Sequence, residues 1–194
     1  MRMSPQNILE LIGNTSLLAL RHVVPANGAR ILLKLESENP TGSMKDRMAL
    51  AMIEAAEADG RLKPGGTVVE YTGGSTGVSL AFVCAVKRYP LHIVTSDAFS
   101  REKLDHMKIL GARMNIIPSE SGRMTEKLTR DMVEAARVIA DAVQSRTPRA
   151  RYLVGRDAKM MARVARFLPD RALDALIARQ LGLGAPNSSS HTPT

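Results

Sequence analysis

Hydrophobic positions along this chain alternate between two periods. Short apolar runs predict β-strands, and longer stretches with an apolar residue every three to four positions predict helices between them. The predicted strands are Arg30–Leu35, Thr67–Tyr71, Leu91–Thr95 and Arg113–Ile117. The predicted helices are Pro5–Leu11, Lys45–Ala58, Thr76–Arg88, Ser100–Leu110 with Ser100 as its cap, and Thr125–Val143, which Thr125 opens. Strands that alternate with helices predict an α/β fold, a doubly wound parallel sheet with helices on both faces.

One lysine stands at the start of a predicted helix. Lys45 follows the turn-forming segment Asn39–Met44 and begins the amphipathic stretch that ends near Ala58. An amine in the first turn of a helix lies near the positive end of the helix dipole, which favours its neutral form. A neutral lysine amine can form a covalent bond to a carbonyl group. A solvated surface lysine explains the same local pattern, so both interpretations stay open for this segment alone.

A Gly/Ser/Thr loop follows one of the predicted strands. Thr72–Gly77 comes directly after Thr67–Tyr71 and opens an apolar helix. A strand, a glycine-rich loop and a helix in this order can direct free backbone N–H groups at an anion. The glycine spacing fits neither a Walker loop nor the dinucleotide-binding fingerprint. An ordinary tight turn between strand and helix is the alternative.

Several motifs then agree in order with one enzyme family. Between about residues 8 and 136 the chain resembles the cysteine synthase and cystathionine β-synthase family, the β-family (fold type II) of pyridoxal-phosphate enzymes. The segments that carry the resemblance are Ile12–Leu17, with Ser16 where the family has proline, Asn39–Arg47, Leu62–Thr67 and Thr72–Gly77. The resemblance implies a truncated tryptophan-synthase-β-like fold with additional C-terminal helices.

The resemblance also implies a chemistry. Lys45 corresponds to the lysine that binds pyridoxal 5'-phosphate covalently and then acts as general base on the α-carbon of an amino acid. The family eliminates or replaces the β-substituent of a small, serine-derived amino acid, as in cysteine biosynthesis. We therefore expect a lyase or transferase of the cysteine synthase type, working as a homodimer.

The loop is expected to hold the substrate carboxylate. The resemblance assigns this role to Thr72, Gly73, Gly74, Ser75 and Thr76, and assigns cofactor contact to Ser75 as well as to the lysine. Two positions depart from the family pattern. Ser75 replaces an asparagine that contacts the cofactor ring, and Gly73 replaces a serine, which removes one hydroxyl from the carboxylate site.

Composition narrows the class of protein. With 194 residues, 44% of them hydrophobic and 24% charged, the chain is long enough to bury a core and is typical of a soluble globular protein. No apolar stretch approaches the roughly 18 residues of a membrane span, and the first residues lack a secretory pattern, so we expect a cytoplasmic protein. A single cysteine, Cys84, excludes an internal disulfide and is expected to be a small buried side chain. The four histidines show no metal-ligand spacing, so no metal site is expected.

The end of the chain differs from its front. Residues 1–136 hold 17 basic against 15 acidic residues, whereas residues 137–194 hold 10 against 4. We therefore predict an incomplete β-family lobe over 1–136, a basic helical segment of different origin over 137–183 and a disordered tail over 184–194. Nothing after Ala136 matches the glycine-rich loop that binds the cofactor phosphate in the family. Residues from about 138 to 183 instead resemble the C-terminal end of short-chain dehydrogenases, but Tyr152 is followed four positions later by Arg156 where that family has lysine, so no dehydrogenase activity is expected.

Two alternatives to an active enzyme remain. The chain could be a catalytically silent family remnant that acts, if at all, through protein association. A nucleic-acid binder is the other, through a basic face formed by Arg149, Arg151, Arg156, Arg163 and Arg166. The near absence of aromatic residues among these arginines favours a solvated surface over a nucleic-acid site.

Overall fold

A computed structural model describes residues 5–22, 25 and 27–147 of the chain. These residues belong to one compact unit. They form five strands and four α-helices, together with two 3₁₀ turns, Ile8–Leu11 and Glu36–Glu38. The strands are β1 (Leu17–Ala19), β2 (Leu32–Lys34), β3 (Val68–Tyr71), β4 (Leu91–Ser96) and β5 (Arg113–Ile117). The helices are α1 (Lys45–Ala58), α2 (Ser75–Lys87), α3 (Arg101–Ile109) and α4 (Glu126–Gln144).

The main sheet has three parallel strands in the order β3–β4–β5. Val69 pairs with His92, and His92 pairs with Arg113, so the carboxyl ends of the three strands lie at one edge of the sheet. Helices cover both faces. Ile93 of β4 packs in a core shared with α1, α2 and α3, while the next residue, Val94, packs against α4. Successive side chains of a strand point to opposite faces, so β4 serves both cores. The predicted α/β fold with a parallel sheet is confirmed.

The N-terminal part of the described region differs from the sequence prediction. The helix expected at Pro5–Leu11 is only the short 3₁₀ turn, and the expected strand Arg30–Leu35 is one half of an antiparallel pair with β1. The sequence prediction contained no strand at Leu17–Ala19. Both strands of the pair have three residues, and all six are exposed. Without alternation between buried and exposed positions, β1 produced no period that a sequence pattern could show.

Helix α2 is the most buried helix of the described region. It carries Cys84, whose predicted role as a small buried side chain is confirmed because only 1% of the residue is exposed. Its third residue, Gly77, lies against α3: a Cβ at this position would stand 2.4 Å from the sulfur of Met107 and 2.8 Å from Cγ2 of Thr72. Met107 is itself fully buried. Glycine at 77 therefore permits the close approach of α2 and α3.

The predicted domain boundary at 136/137 falls inside α4, which runs without interruption from Glu126 to Gln144. Most of the predicted basic segment, the dehydrogenase-like residues from 148 onward, the arginines from 149 to 166 and the predicted tail lie outside the described residues, so these remain predictions. Within the described residues, no helix is long and apolar enough to cross a membrane.

Candidate active site

Lys45 is the first residue of α1, as predicted. Its backbone N–H donates to Oγ of Ser43 at 3.1 Å, which helps to start the helix directly after the Pro-Thr-Gly-Ser turn. The side chain is half-buried, and its Nζ makes no hydrogen bond or ion pair with any described residue. A lysine amine at a helix start without a protein partner is available to react with a carbonyl group.

The residue after the lysine fixes this helix start in place. Asp46 is fully buried, and its carboxylate accepts the N–H of Thr41 at 2.8 Å and the Oγ hydroxyl of Ser79 at 2.6 Å. It also accepts the hydroxyl of Thr41. Hydrogen bonds to a buried carboxylate are among the stronger ones in proteins. The Asp46–Ser79 bond places the start of α1 beside the second turn of α2, one turn beyond Ser75.

A second anchor holds the lysine segment from the other side. Arg47 donates from Nε to Oε2 of Glu36 and from its terminal nitrogen to Oε1, each at 2.9 Å. This two-bond pairing lowers the pKa of Glu36 to about 2. The same guanidinium donates to the hydroxyl of Thr15 at 3.1 Å, so the pair also ties down the Ile12–Leu17 segment.

The Gly/Ser/Thr loop lies where the sequence predicts it, beyond the carboxyl end of β3. The N–H of Thr72 still pairs with the carbonyl of Val94 at 2.9 Å, and α2 begins three residues later with Gly74 as its uncapped N-cap. Among the described residues, no acceptor pairs with the N–H groups of the four positions that follow Thr72, which are Gly73, Gly74, Ser75 and Thr76. Four free N–H groups at a helix N-terminus form an arrangement that suits an anion.

The hydroxyl of Ser75 already has a partner. Nζ of Lys103, from α3, donates to its Oγ at 3.2 Å. Thr41, Val78, Glu102 and His106 join these two residues around a cavity of about 160 Å³. The sequence analysis did not include Lys103 among the site residues, because no motif links a lysine on α3 to the loop.

Phe99 is the other residue at the loop that the sequence analysis missed. Its ring lies against Gly73, where a Cβ would stand 1.8 Å from Cδ2 of Phe99. Gly74, by contrast, has no heavy atom within 4 Å of the place its Cβ would take. The loop is therefore crowded at Gly73 and open at Gly74.

Burial affects one titratable group near the loop. Glu70 lies on β3, two residues before Thr72, and its partial burial raises the pKa of its carboxyl above the ordinary value. The N–H of Tyr71 donates to this carboxyl at 3.0 Å, which opposes the increase.

Residues 8–155 match a family of pyridoxal-phosphate dependent enzymes. The chain belongs to this family. The match covers more than half of the chain, and it includes both the lysine segment and the loop. It extends past Ala136, where the motifs found in the sequence end. Pyridoxal phosphate is the cofactor of the family, so this part of the sequence prediction is confirmed.

Characterised relatives agree with the family match. The chain is 45% identical over 129 residues to a cysteine synthase of Staphylococcus aureus and 40% identical over 141 residues to cysteine synthase B of Salmonella typhimurium. These matches cover 66% and 72% of this chain but 42% and 43% of the relatives. The chain thus spans less than half the length of the curated relatives it matches.

Solved structures share the fold. An O-ureido-L-serine synthase is 34% identical with a TM-score of 0.63, over 71% of this chain and 43% of that one. A hydrogen sulfide-producing enzyme from Fusobacterium nucleatum is 37% identical with a TM-score of 0.58, over 67% of this chain and 43% of that one. Both comparisons support the type II fold of the family.

The described residues fit two parts of the family's chemistry. Lys45 supplies a half-buried amine without a protein partner, which suits the aldehyde of the cofactor. The free N–H groups from Gly73 to Thr76 suit a carboxylate. The Asp46–Ser79 hydrogen bond links the helices that carry these two features.

Proposed function

We propose that this chain carries the catalytic lysine and the carboxylate loop of a cysteine synthase-type enzyme, which eliminates or replaces the β-substituent of a serine-derived amino acid. One observation carries the proposal: Lys45, whose amine has no partner among the described residues, begins a helix that Asp46 ties to Ser79, one turn beyond Ser75 of the Gly/Ser/Thr loop. The 45% identity to a cysteine synthase supports the same conclusion.

Each group then has a defined task. Pyridoxal phosphate, when bound, supplies an electron sink for the α-carbon of the substrate. Lys45 would hold the cofactor, and its Nζ, when free as an amine, would accept the α-proton of the substrate. The N–H groups of Gly73 to Thr76 bind the substrate carboxylate, together with the hydroxyls of Thr72 and Thr76. The half-buried setting of Lys45 limits the water that competes for its amine.

Ser75 has a different task from the asparagine it replaces. The hydroxyl of Ser75 accepts a hydrogen bond from Lys103 of α3, so its oxygen is directed toward that helix. Serine is also too short to offer the amide N–H₂ of asparagine. We propose that Ser75 contributes its backbone N–H to the carboxylate and reaches the cofactor ring only through a bridging water.

Absorption spectroscopy tests the proposal. The full chain mixed with excess pyridoxal phosphate and then desalted is expected to keep an absorption band at ~410 nm, because a lysine-bound cofactor absorbs there. Lys45→Ala is expected to lose the band, and Lys63→Ala, which changes an exposed loop lysine, is expected to keep it. Formation of product from O-acetylserine that depends on added sulfide would then demonstrate turnover.

A chain that stays colourless with excess cofactor would overturn the proposal and favour the catalytically silent alternative. A band that survives in Lys45→Ala would show that another lysine binds the cofactor. A homodimer and a cytoplasmic location belong to the same proposal. Fractionation of cells that express the native chain would test the location.

A further inference from the structure

The ring of Phe99 occupies the volume that a side chain at position 73 would need. An ideal Cβ on Gly73 would stand 1.8 Å from Cδ2, 2.0 Å from Cγ and 2.3 Å from Cε2 of this ring. All three distances are below 3.0 Å, which real Cβ atoms essentially never show. Residue 73 therefore tolerates only glycine while the ring is in place.

Backbone conformation does not explain this glycine. Gly73 is absent from the glycines with positive φ, such as Gly42 and Gly65, at which an L-residue would be strained. The three heavy atoms nearest to the Cβ position all belong to this ring. The pair Gly73–Phe99 is therefore a steric unit: each residue has the size that the other one allows.

The side of the ring that faces away from Gly73 packs in the protein interior. Phe99 is half-buried and packs against both hydrophobic cores, the one shared by α1, α2 and α3 and the one on the α4 side. Its backbone N–H donates to the carbonyl of Ser96 at 3.3 Å, just beyond the end of β4. A ring fixed in this way covers the loop at Gly73, which is itself buried.

We propose that Phe99 is a positioning residue for the carboxylate loop. Its ring holds the backbone at Gly73 and keeps water away from the free N–H groups that follow, a task that a side chain at 73 would otherwise perform. A dry, fixed set of N–H donors binds an anion more strongly than a hydrated, mobile set. The inference rests on the proposed function of this loop as the site for the substrate carboxylate.

A first experiment tests the steric unit without reference to activity. Urea unfolding of the full chain would compare Gly73→Ser in the wild-type background and in the Phe99→Ala background. We expect a large fall in the urea midpoint in the first case and little or no fall in the second, because the alanine leaves room for the serine. Gly74→Ser is the matched control, since its Cβ position is open, and should change the midpoint equally in both backgrounds.

Equal falls of the midpoint for Gly73→Ser in both backgrounds would overturn the steric unit. If Gly73→Ser alone does not fold, a folded double variant still demonstrates the compensation. A double variant that also fails to fold, while Phe99→Ala folds, would contradict it.

A second experiment tests the effect on the loop. Amide NMR shifts of the full chain, loaded with cofactor and free of it, would be followed while L-serine is added. Phe99→Ala is expected to weaken L-serine binding about tenfold and Phe99→Leu about threefold. Gly73→Ser/Phe99→Ala should regain part of the loss, because the new side chain takes up some of the vacated space and adds a hydroxyl. The ~410 nm band of Lys45, recorded before L-serine is added, should stay unchanged in Phe99→Ala and Phe99→Leu.

The outcomes separate this inference from the proposed function. Unchanged L-serine affinity in Phe99→Ala, or no recovery in the double variant, would overturn the role of Phe99 even if the cofactor band is present. A missing band in the wild-type chain would overturn the proposed function, whereas the urea comparison would still decide the steric unit. No shift of the loop amides with L-serine in the wild type would overturn the role of Phe99 at a carboxylate site.

Discussion

Single residues around the lysine segment are held by charged hydrogen bonds rather than by apolar packing. Asp46 has three donors and is fully buried, so its carboxylate is satisfied without a cation among the described residues. The carboxylate of Glu36, by contrast, forms an ion pair with the guanidinium of Arg47. Each carboxylate ties a different segment to the start of α1. The position of Lys45 is thus determined by the two residues that follow it, Asp46 and Arg47.

The Glu36–Arg47 pair predicts a pH dependence of stability. The guanidinium lowers the pKa of Glu36 from 4.5 to about 2 in the folded protein. A carboxyl whose pKa is lowered by folding adds stability above its unfolded value, and this contribution is lost as the pH falls from about 4.5 toward about 2. We expect the free energy of unfolding to decrease in this window.

Urea unfolding of the full chain between pH 2 and 6 measures this effect. Glu36→Gln is expected to reduce the slope in the window, since the glutamine does not titrate. Glu120→Gln, which changes an exposed carboxylate, is the control and should keep the slope of the wild type. Identical slopes for wild type and Glu36→Gln would contradict the assignment.

At the scale of elements, two helix starts show whether an N-cap residue type in the sequence corresponds to an N-cap hydrogen bond in the structure. Both Ser100 and Thr125 have the residue type of an N-cap, and each precedes its helix as predicted. Only Thr125 uses its side chain, because Oγ1 accepts the N–H of Leu128 at 3.1 Å. The side chain of Ser100 makes no cap hydrogen bond. The residue type predicted the boundary in both cases, but it did not predict the interaction.

This difference predicts unequal effects of removing the two hydroxyls. Thr125→Ala is expected to lower the free energy of unfolding by about 1 kcal/mol, the usual cost of losing a cap. Ser100→Ala is the matched control and should change it by less than about 0.5 kcal/mol. Urea midpoints of the two variants would measure both values. Equal losses would show that the cap bond at Thr125 contributes nothing of its own.

For the molecule as a whole, long periodic segments were predictable and tertiary pairings were not. The bounds of α1 agree with the prediction, and those of β4 and α4 lie within about one residue of it, because each has a clear period and distinct ends. The Lys45 segment and the Thr72–Gly77 loop were also identified from the sequence. The contacts of Lys103 with Ser75 and of Phe99 with Gly73 were not, since they arise only when α3 and the turn before it meet the loop in space.

The exposed pair β1–β2 bears on the assembly of the whole molecule. Large apolar side chains lie exposed on or beside it, at Leu17, Leu18, Ile31, Leu32 and Leu33. Contiguous exposed apolar surface commonly marks an interaction site. Under the proposal of a homodimer, we expect this surface to take part in the contact.

Sedimentation of the full chain tests this expectation. The wild type is expected to sediment as a dimer at micromolar concentration, and Leu18→Asp should shift it toward the monomer by placing a charge in the contact. Ile109→Asp is the control, because this residue is 83% exposed and lies at the end of α3 rather than on the pair. A monomeric wild type, or equal effects of the two variants, would contradict the contact.

The close approach of Met107 to Gly77 has a consequence under oxidative stress. The thioether sulfur is fully buried and fills the space beside this glycine, so a sulfoxide oxygen would need room that the packed helices do not leave. Peroxide can reach this sulfur only while α2 and α3 are apart. Once oxidised, the side chain would keep the two helices from closing again. A transient opening of the fold would then become a lasting chemical lesion beneath the loop.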